Sequence, residues 1–583
     1  MFCIIPAFFV FGGNMAGFGS SELKVHATTP NFRVVFYNIL DNFSEINDNS
    51  LKIDEGSSFQ TMGQLGIKSY FAFSPENPNA YFSGANIQSY TFSNSIDDID
   101  GSFSITVKED TRELAEGEQY FMDQVKKLDV VEIIENGSVE FYGVVRTISI
   151  GATAGAMNKV ITISGISAAG LLNMFSISTD VSSMSFLNPN GENAKVTNRI
   201  AKLFENVKKG DDGVEVAEVF RIVYLALYNI ANGMTYNERT RTWEKRKKES
   251  KDIPFASFRI QRIFRFVFGV AHEDYQGTLD YNRELYSRPV DFLDCSLKFK
   301  YQLVSNLFNQ SEVNIMSYFR GFLPAPIYEM FHSFDYYGRP KIIIREVPFD
   351  PETWSGMPSF VIDPSLITDY TLSQTDTNIF TAFFAYPAGA PGDRTQFRNA
   401  NSADRNGNPI IQVDGKLVET YGFIPLDVNF IGWKPKDIEQ TSVINVGIEL
   451  SKRVQGYFKN LKDFWNGDVT FINMLENESR EVAVKEYVKD KEVNTKIVSK
   501  KVSKNPRIGQ KVKLCGLEFY VTNSTHSWRY GEPCKINLHI ERGGKYDSNG
   551  NFIEPVEYDK NDRVVGFNPS SLSRTWSELL TKE

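Results

Sequence analysis

Two distant segments of the chain repeat one strand pattern. Each contains a Glu-Phe-Tyr triplet after a short turn, at Glu140-Phe141-Tyr142 and again at Glu518-Phe519-Tyr520. A second alternating apolar and polar run follows each triplet, at 159–165 and at 534–540, which predicts antiparallel strands in both segments. In a strand, the Phe faces one side and its Glu and Tyr neighbours face the other, so each triplet predicts a core anchor and an outer polar rim. The alternative is a chance likeness between hairpins built from common strand residues.

A true repeat has a consequence for symmetry. One chain then carries two similar small barrels, and three chains around an axis present six nearly equivalent barrels. Such a trimer matches a six-fold ring, and neighbouring barrels in a closed ring cover each other's strand edges.

The 583 residues exceed what a single core of about 250–300 residues accommodates, so several domains are expected. The predicted fold class is α+β, mainly β, with two similar antiparallel tube-type β-barrels separated by a helical insertion. The insertion is predicted from apolar residues at helical spacing, such as the run from Val216 to Ile230 and the run from Leu297 to Leu307. The predicted divisions are an N-terminal arm and leading segment (1–80), a first barrel (81–190), the mainly helical insertion (191–338), a second barrel (339–545) with a long loop (387–409), and an extended C-terminal tail (546–583).

The chain begins with an apolar, glycine-rich stretch. The first Lys or Arg is Lys24, whereas a secretory signal has a basic start, and the run from Met1 to Phe11 is too short to span a bilayer. We therefore expect an arm that packs on its own chain or on a neighbour, with a cleaved signal or membrane anchor as the alternative. No other stretch reaches 18 apolar residues, so no membrane partner is predicted.

Charge and composition exclude several classes of protein. The formal net charge is −9, which argues against a broad nucleic-acid-binding surface and leaves DNA a partner only in passage. Four cysteines in so long a chain do not make a disulfide scaffold, and five histidines leave few metal or acid–base arrangements.

Catalytic signatures are absent from the sequence. It contains no Gly-x-Ser-x-Gly elbow, no phosphate-binding loop and no His-Glu-x-x-His motif, and Gln276 stands where the second histidine after His272-Glu273 belongs. We assign no catalytic residue, no metal ligand and no cofactor. His526 and His539, which lie on the two runs of the closing hairpin, are read as hydrogen-bonded strand residues rather than as a metal site with Glu541. The segment Asp547-Ser-Asn-Gly-Asn551 resembles a calcium loop but lacks its later ligands, so a simple turn is expected.

Two basic features are candidate contact surfaces. Arg259, Arg262 and Arg265 recur every three residues and are predicted to lie on one helical face. That face is either a solvated side of an amphipathic helix or an interface with an acidic partner or a neighbouring copy. From Glu481 to Arg507, Val and Lys alternate in strands whose predicted hairpin tip is Lys489 to Glu492; this tip is a candidate contact with the next ring.

The block from Phe92 to Leu172 resembles the first barrel of contractile-phage baseplate hub proteins. Three later segments are similar to successive parts of the same family: the link Asp335 to Pro348, the strands from Ile362 to Phe383, and the closing hairpin from Phe519 through His526 and Trp528 to Gly544. These matches follow the family's order over about half of the chain. The long helical section, the apolar start and the extended tail depart from its pattern.

The resemblance implies a homotrimeric structural hub in the tail baseplate of a virion, assembled in the host cytoplasm. It implies contacts with the tail tube ring, the central spike, other baseplate proteins and a tape-measure protein, around a channel for DNA. The alternative is a cell-wall hydrolase on a hub scaffold, which would use acids of the helical section, Glu215, Glu218, Glu273 and Asp274. A third interpretation, a secreted β-rich adhesin, depends on the apolar start alone.

Overall fold

The structure is a computed structural model. It describes residues 32–39, 59–60, 67–73, 85–110, 119–152, 158–174, 176–177, 214–215, 234–237, 242–245, 271–272, 285–286, 293–296, 300–301, 313–321, 323, 326–334, 340–388, 409–431, 433–434, 443–473, 478–488, 491–502, 505–553, 556–558 and 564–567.

Strands dominate the described residues. They are β1 (Phe32–Ile39), β2 (Phe59–Gln60), β3 (Ile67–Phe73), β4 (Ala85–Ser95), β5 (Ser102–Asp110), β6 (Val130–Glu135), β7 (Ser138–Ala152), β8 (Asn158–Ser167), β9 (Ser176–Ile177), β10 (Val214–Glu215), β11 (Met234–Asn237), β12 (Thr242–Lys245), β13 (Ala271–His272), β14 (Leu285–Tyr286), β15 (Leu293–Cys295), β16 (Lys300–Tyr301), β17 (Val313–Asn314), β18 (Tyr328–Phe334), β19 (Pro340–Glu346), β20 (Ser359–Val361), β21 (Ile367–Ser373), β22 (Ala382–Ala388), β23 (Gln412–Val413), β24 (Pro425–Ile431), β25 (Trp433–Lys434), β26 (Trp465–Ile472), β27 (Glu478–Val488), β28 (Lys491–Val502), β29 (Lys511–Leu514), β30 (Leu517–Arg529), β31 (Lys535–Gly544), β32 (Val556–Tyr558) and β33 (Val564–Phe567).

The described α-helices are short, apart from the last of them. They are α1 (Phe121–Gln124), α2 (Ile315–Gly321), α3 (Pro351–Gly356), α4 (Gly415–Tyr421) and α5 (Val443–Phe458). In the part of the chain that the structure describes, no helix has the length and apolar character needed to cross a membrane.

Thirteen strands form one large sheet, so the prediction of a mainly β fold is confirmed. Its main path runs β21-β26-β31-β30-β4-β5-β8-β7-β6-β1-β3, and β29 and β20 branch from β30. Neither half of this sheet closes on itself through the strand pairs that the structure describes. The two segments predicted as barrels are joined in one continuous sheet, because β30 pairs directly with β4.

The two halves share one strand order. In the first half the neighbours run β4-β5-β8-β7-β6, and in the second they run β21-β26-β31-β30-β29. Within each half these strands also occur in the same order along the chain. We call the two sets the first repeat and the second repeat. The sequence similarity around the Glu-Phe-Tyr triplets therefore corresponds to equal strand positions.

The same turn geometry precedes both triplets. Asn136 and Gly137 join β6 to β7 with φ values of 51° and 82°, and Cys515 and Gly516 join β29 to β30 with φ values of 54° and 76°. Positive φ at both central residues is the requirement of the two-residue turn whose twist fits an antiparallel hairpin. Asn and Gly adopt this backbone region readily, whereas Cys515 does so at some cost.

Each repeat has its own apolar core. Phe92, Phe103, Phe141 and Ile163 belong to the first core, to which β1 and β3 also contribute Phe36 and Phe73. Val469, Phe471, Phe519 and Ile536 belong to the second. Residues 32–39 and 67–73, which lie in the predicted N-terminal arm and leading segment, are thus strands of the first repeat.

Within the predicted helical insertion, most of the described residues form strands, and α2 is the helix among them. Tyr328–Phe334 is a strand that pairs with Pro340–Glu346, and the short strand Lys300–Tyr301 interrupts the predicted helix from Leu297 to Leu307. The pairing of β18 with β19 outweighs helical spacing here. The predicted helix from Val216 to Ile230 lies outside the described residues.

The second repeat carries a large insertion between β21 and β26. It contains a three-stranded sheet, β23-β22-β24, and α5, whose Ser451 hydroxyl accepts a hydrogen bond from the Ala385 N–H at 2.9 Å. Arg542 of β31 joins this insertion to the second core. Its buried guanidinium stacks 3.8 Å from the Phe349 ring centroid and 4.5 Å from that of Tyr457, and it donates to the Tyr457 carbonyl.

Candidate functional site at the junction of the repeats

The two repeats meet along a strand pair. Residues Asn523 to Arg529, the second half of β30, pair antiparallel with Ser95 to Ser89 of β4. Backbone hydrogen bonds extend the pair at both ends, from the Ile96 N–H to the Thr522 carbonyl at 2.9 Å and from the Tyr530 N–H to the Gln88 carbonyl at 2.8 Å. We call this contact, with the side chains packed on it, the junction.

A buried carboxylate lies at the centre of the junction. Glu135, the last residue of β6, accepts hydrogen bonds from the Tyr90 hydroxyl at 2.8 Å and from the Asn473 amide at 2.7 Å. Its Oε2 atom also lies 2.8 Å from Nδ1 of His526. Tyr90 belongs to the first repeat, whereas Asn473 and His526 belong to the second, so one carboxylate connects both.

Burial and charge act on His526 in opposite directions. Burial lowers the pKa of His526, whereas the charge and hydrogen bond of Glu135 raise it, and the net effect is a raised pKa. Burial also raises the pKa of Tyr90 and of Cys534, whose sulfur lies 3.2 Å from the Tyr90 hydroxyl. A protonated His526 beside Glu135 is therefore favoured, and Tyr90 and Cys534 keep their protons near neutral pH.

The environment of Glu135 favours a structural role. Its side chain is only 2% exposed, so neither solvent nor a substrate reaches the carboxylate from outside. A buried carboxylate that keeps its hydrogen bonds fixes the geometry of its neighbours, and removing one partner leaves an unpaired buried charge. The arrangement can hold the repeats in one orientation.

Arg507 makes a second polar contact between the repeats. It precedes β29, and its guanidinium donates to the Val139 carbonyl of the first repeat and to the Phe334 carbonyl of β18, both at 3.2 Å. One nitrogen also lies 3.5 Å from the carboxylate of Glu140. Because a guanidinium carries five N–H donors in a plane, one Arg can hold three elements at once.

Trp528 supplies the apolar part of the junction. This β30 residue packs in the core of the first repeat, with its ring 4.4 Å from that of Phe32 and 6.0 Å from that of Tyr90, measured between centroids. It is 5% exposed. A large aromatic ring at the end of one repeat thus inserts into the other.

The triplets occupy similar places in their repeats. Phe141 and Phe519 are buried in the first and second cores, as predicted. The predicted outer polar rim is wrong, because Glu140, Tyr142 and Tyr520 are also buried. Further elements cover the outer face of both hairpins, so that both faces of the sheet are enclosed here.

The triplet of the second repeat shows what covers that face. The Tyr520 hydroxyl donates to the carboxylate of Glu329 at 2.7 Å, and Glu329 pairs with Arg345 at 2.6 Å, both from the hairpin of β18 and β19. Glu518 is half-buried beside Lys511 at 3.2 Å and accepts from the Trp354 indole. The polar side chains of the triplet are thus paired in the interior.

The structure separates the other residues considered in the sequence. His539 lies 2.9 Å from Asp468 and away from His526. The two histidine side chains lie on opposite faces of the sheet, since His526 is opposite Ile536 and His539 is opposite Asn523. Within the described ranges, no group of His, Cys, Asp and Glu is arranged to hold a metal ion. Asp547 forms a turn by accepting from the N–H groups of Asn549 and Asn551.

Several predicted features lie where the structure gives no description. These are Arg259, Arg262 and Arg265, the acids Glu218, Glu273 and Asp274, the side chain of Glu215, and most of the loop 387–409. The predicted hairpin between Glu481 and Arg507 is present as the antiparallel pair β27 and β28, whose pairing runs from Glu478 opposite Val502 to Val488 opposite Lys491.

Sequence reasoning missed Glu135 and Asn473. Glu135 follows a run of Val and Ile and directly precedes Asn136-Gly137, a strong hairpin signal. A carboxylate at the end of so apolar a strand is the one local sign of a buried acid. Its partners Asn473 and His526 come from the far end of the chain, 338 and 391 residues away, so no spacing rule connects them to Glu135.

Comparison with known proteins gives structural similarity alone. No protein-family model matches the chain, and no curated protein sequence does. A solved tail protein from Neisseria meningitidis is similar over 78% of this chain and 92% of its own, at 8% identity and a TM-score of 0.34. The 43 kDa tail protein of prophage MuSo2 from Shewanella oneidensis is similar over 78% and 94%, at 10% identity and a TM-score of 0.33.

A third similar structure comes from a secretion system. The E. coli c3393 protein is described as a component of the type VI secretion system with structural similarity to the T4 bacteriophage tail proteins gp27 and gp5. It covers 81% of this chain and 78% of its own, at 8% identity and a TM-score of 0.28.

Proposed function

We propose that this chain is a non-enzymatic hub subunit of a contractile phage-type tail, located in the baseplate. Three copies form a ring in which the two repeats of each chain act as two tube-type barrels. The ring connects the six-fold tail tube to the three-fold central spike and lines the channel through which DNA passes. The sequence resemblance suggests the kind of particle, and the repeated strand order supports the ring.

The observation that carries the proposal is the side-by-side placement of two repeats with one strand order. A chain with one such unit forms a six-fold ring from six copies, whereas a chain with two forms a similar ring from three. The junction provides a fixed contact between the units, because Glu135, Arg507 and Trp528 each join one repeat to the other. Three-fold partners can then bind one face and six-fold partners the other.

The mechanism is geometric and needs no catalytic group. The polar cluster of the junction is buried and internally hydrogen-bonded, so it suits fixed assembly. Further contacts are proposed with other baseplate proteins and with a tape-measure protein. They are assigned to the insertions, which differ between the repeats and therefore break the six-fold likeness.

Mass measurement in solution tests this proposal. The purified chain at micromolar concentration is expected to have about three times its monomer mass of 66.2 kDa. Electron microscopy is expected to show a ring with six similar densities and three-fold differences at its outside. A monomer at this concentration, or a ring of another order, overturns the proposal. Turnover of purified peptidoglycan would instead support the hydrolase alternative.

A further inference from the structure

The junction between the repeats has a counterpart elsewhere in the sheet. In the shared strand order, β30 corresponds to β7 and β4 corresponds to β21. The first half of β30 pairs with β29 and its second half pairs with β4. The first half of β7 pairs with β6 in the same way.

The second half of β7 lacks the matching neighbour. From Thr147 to Ala152 it pairs with β8 on one side, and among the described strand pairs nothing lies on the other side. Likewise β21 pairs with β26 and ends the main path of the sheet. Each of these strand edges has the position that its equivalent uses in the junction.

We infer that β21 of one copy pairs with the second half of β7 of the next copy, antiparallel, as β4 pairs with β30 within each chain. The partner of this edge is a second copy of the same chain. Each copy offers one β7 edge and one β21 edge, so the contact is head-to-tail and leads to a closed ring. Closure at three copies rests on the ring proposed above, whereas the strand pair itself does not.

The exposure of one residue supports this contact. With the Glu-Phe-Tyr triplets aligned, Trp528 corresponds to Ile150. Trp528 inserts into the neighbouring repeat and is 5% exposed, whereas Ile150 is 53% exposed. Because Trp528 anchors the junction, the equivalent Ile150 is the residue that would anchor the contact with the next copy.

The opposite edge is suited to receive it. Strand β21 has half-buried Ile367 and Leu372 on the side that packs against the second core, while Asp369 and Thr371 are exposed. In the junction, Trp528 lies opposite Tyr90 of β4. Tyr90 pairs with Ile105 of β5, and Ile367 pairs with Phe471 at the equivalent position of β26, so Tyr90 corresponds to Ile367. Ile150 of one copy is therefore placed opposite Ile367 of the next.

The same correspondence gives the register. Thr525 lies opposite Ser93 in the junction, so Thr147 is predicted to lie opposite Thr371 of the next copy. Ser527 lies opposite Thr91, so Ser149 is predicted to lie opposite Asp369. Residues that face each other in an antiparallel pair have Cα atoms about 4.5–5.5 Å apart, which is within the range that a disulfide spans.

Disulfide formation in the full chain tests the register. The double variant Thr147→Cys with Thr371→Cys, under mild oxidation, is expected to give covalent dimers and trimers on a non-reducing gel. Each single variant, which retains the natural cysteines, serves as a background control. The pair Thr147→Cys with Val361→Cys is the matched control, because Val361 is 70% exposed in the second repeat but lies on β20; it is expected to give no ladder.

A second variant tests the anchor without a cross-link. Ile150→Asp is expected to raise the concentration at which the assembly dissociates by roughly tenfold or more. Ile553→Asp is the control, since Ile553 is 50% exposed and lies beyond the second repeat; it is expected to leave assembly unchanged. Because Ile150 faces water in the single chain, its change is not expected to prevent folding.

The outcomes separate this inference from the proposed function. A trimer by mass that gives no ladder, and that Ile150→Asp does not weaken, overturns the strand contact and leaves the hub proposal in place. A ladder that continues past three copies supports the strand contact and overturns the three-fold ring. A monomer with no ladder overturns both.

Discussion

The replacement Glu135→Gln removes the charge at the centre of the junction and keeps its size. The carboxylate accepts from Tyr90, Asn473 and His526, whereas a glutamine offers one acceptor and an NH₂ group that meets other donors. A hydrogen bond to a buried charge contributes about 1.5–3 kcal/mol, and breaking a buried ion pair costs about 3–5 kcal/mol. We therefore expect the junction to lose about 3 kcal/mol, or roughly 150-fold in its opening equilibrium.

Amide hydrogen exchange measures this loss at the junction itself, because it reports the opening of individual backbone hydrogen bonds. The Tyr530 and Ile96 amides close the two ends of the β4–β30 pair and report on its opening. The control is Glu532→Gln, because the contact of Glu532 with Lys535 at 3.4 Å is on the surface and is expected to change exchange by less than about fivefold. If both variants exchange alike, the junction does not depend on the buried carboxylate.

This prediction has a pH component with a definite sign. His526 has a raised pKa in the folded chain, so its ion pair with Glu135 stabilises fully below the ordinary histidine pKa of about 6.5. The contribution is lost as pH rises through the raised value. After correction for the intrinsic rate, opening of the junction should increase with pH in this range in the natural chain. In Glu135→Gln this trend should be weaker, and equal trends would contradict the assignment.

Three further predictions concern single residues. Burial lowers the pKa of His332 to about 3, and its ring nitrogens have no hydrogen-bond partner among the described residues. The free energy of unfolding should therefore fall by about 2 kcal/mol as the pH drops from about 7.5 to 5. Thermal unfolding of His332→Leu should lack this part of the fall, and a pH dependence equal to that of the natural chain would refute the assignment. Gly543→Ala places a methyl group on the Phe519 ring and should cost about 1–3 kcal/mol, whereas Gly456→Ala in open space within α5 should gain up to about 1 kcal/mol; equal unfolding temperatures would contradict this. Arg542→Leu should make α5 more sensitive to limited proteolysis because the carbonyl of Tyr457 loses its donor; an unchanged cleavage rate counts against this role of Arg542.

Local patterns predicted the strands well and their partners poorly. The alternation around Phe141 and Phe519 predicted two hairpins with Phe in the core, because side-chain period and turn chemistry are local properties. The pairing of β30 with β4 was not predictable, since it depends on how one repeat packs against the other. The predicted outer polar rim was wrong for the same reason. Sequence alternation assumes that one face of the strand is exposed to solvent, whereas β18 and β19 cover that face near Tyr520.

The helical section shows the opposite error. The predicted helical insertion, 191–338, includes Tyr328 to Phe334, yet Glu329 and His332 lie on a strand paired with β19. In short apolar runs, both periods fit the same residues, and the presence of a partner strand decides.

The junction also sets an order of events during synthesis. His526 leaves the ribosome 391 residues after Glu135. At about 5–20 residues per second, the first repeat waits roughly 20–80 s for the strand that covers β4. During that interval, the nascent chain exposes the apolar surface that Trp528 later covers and the edge of β4 with which β30 later pairs. Chaperone binding, or slow translation of the intervening stretch, is expected to protect this surface until β30 is made.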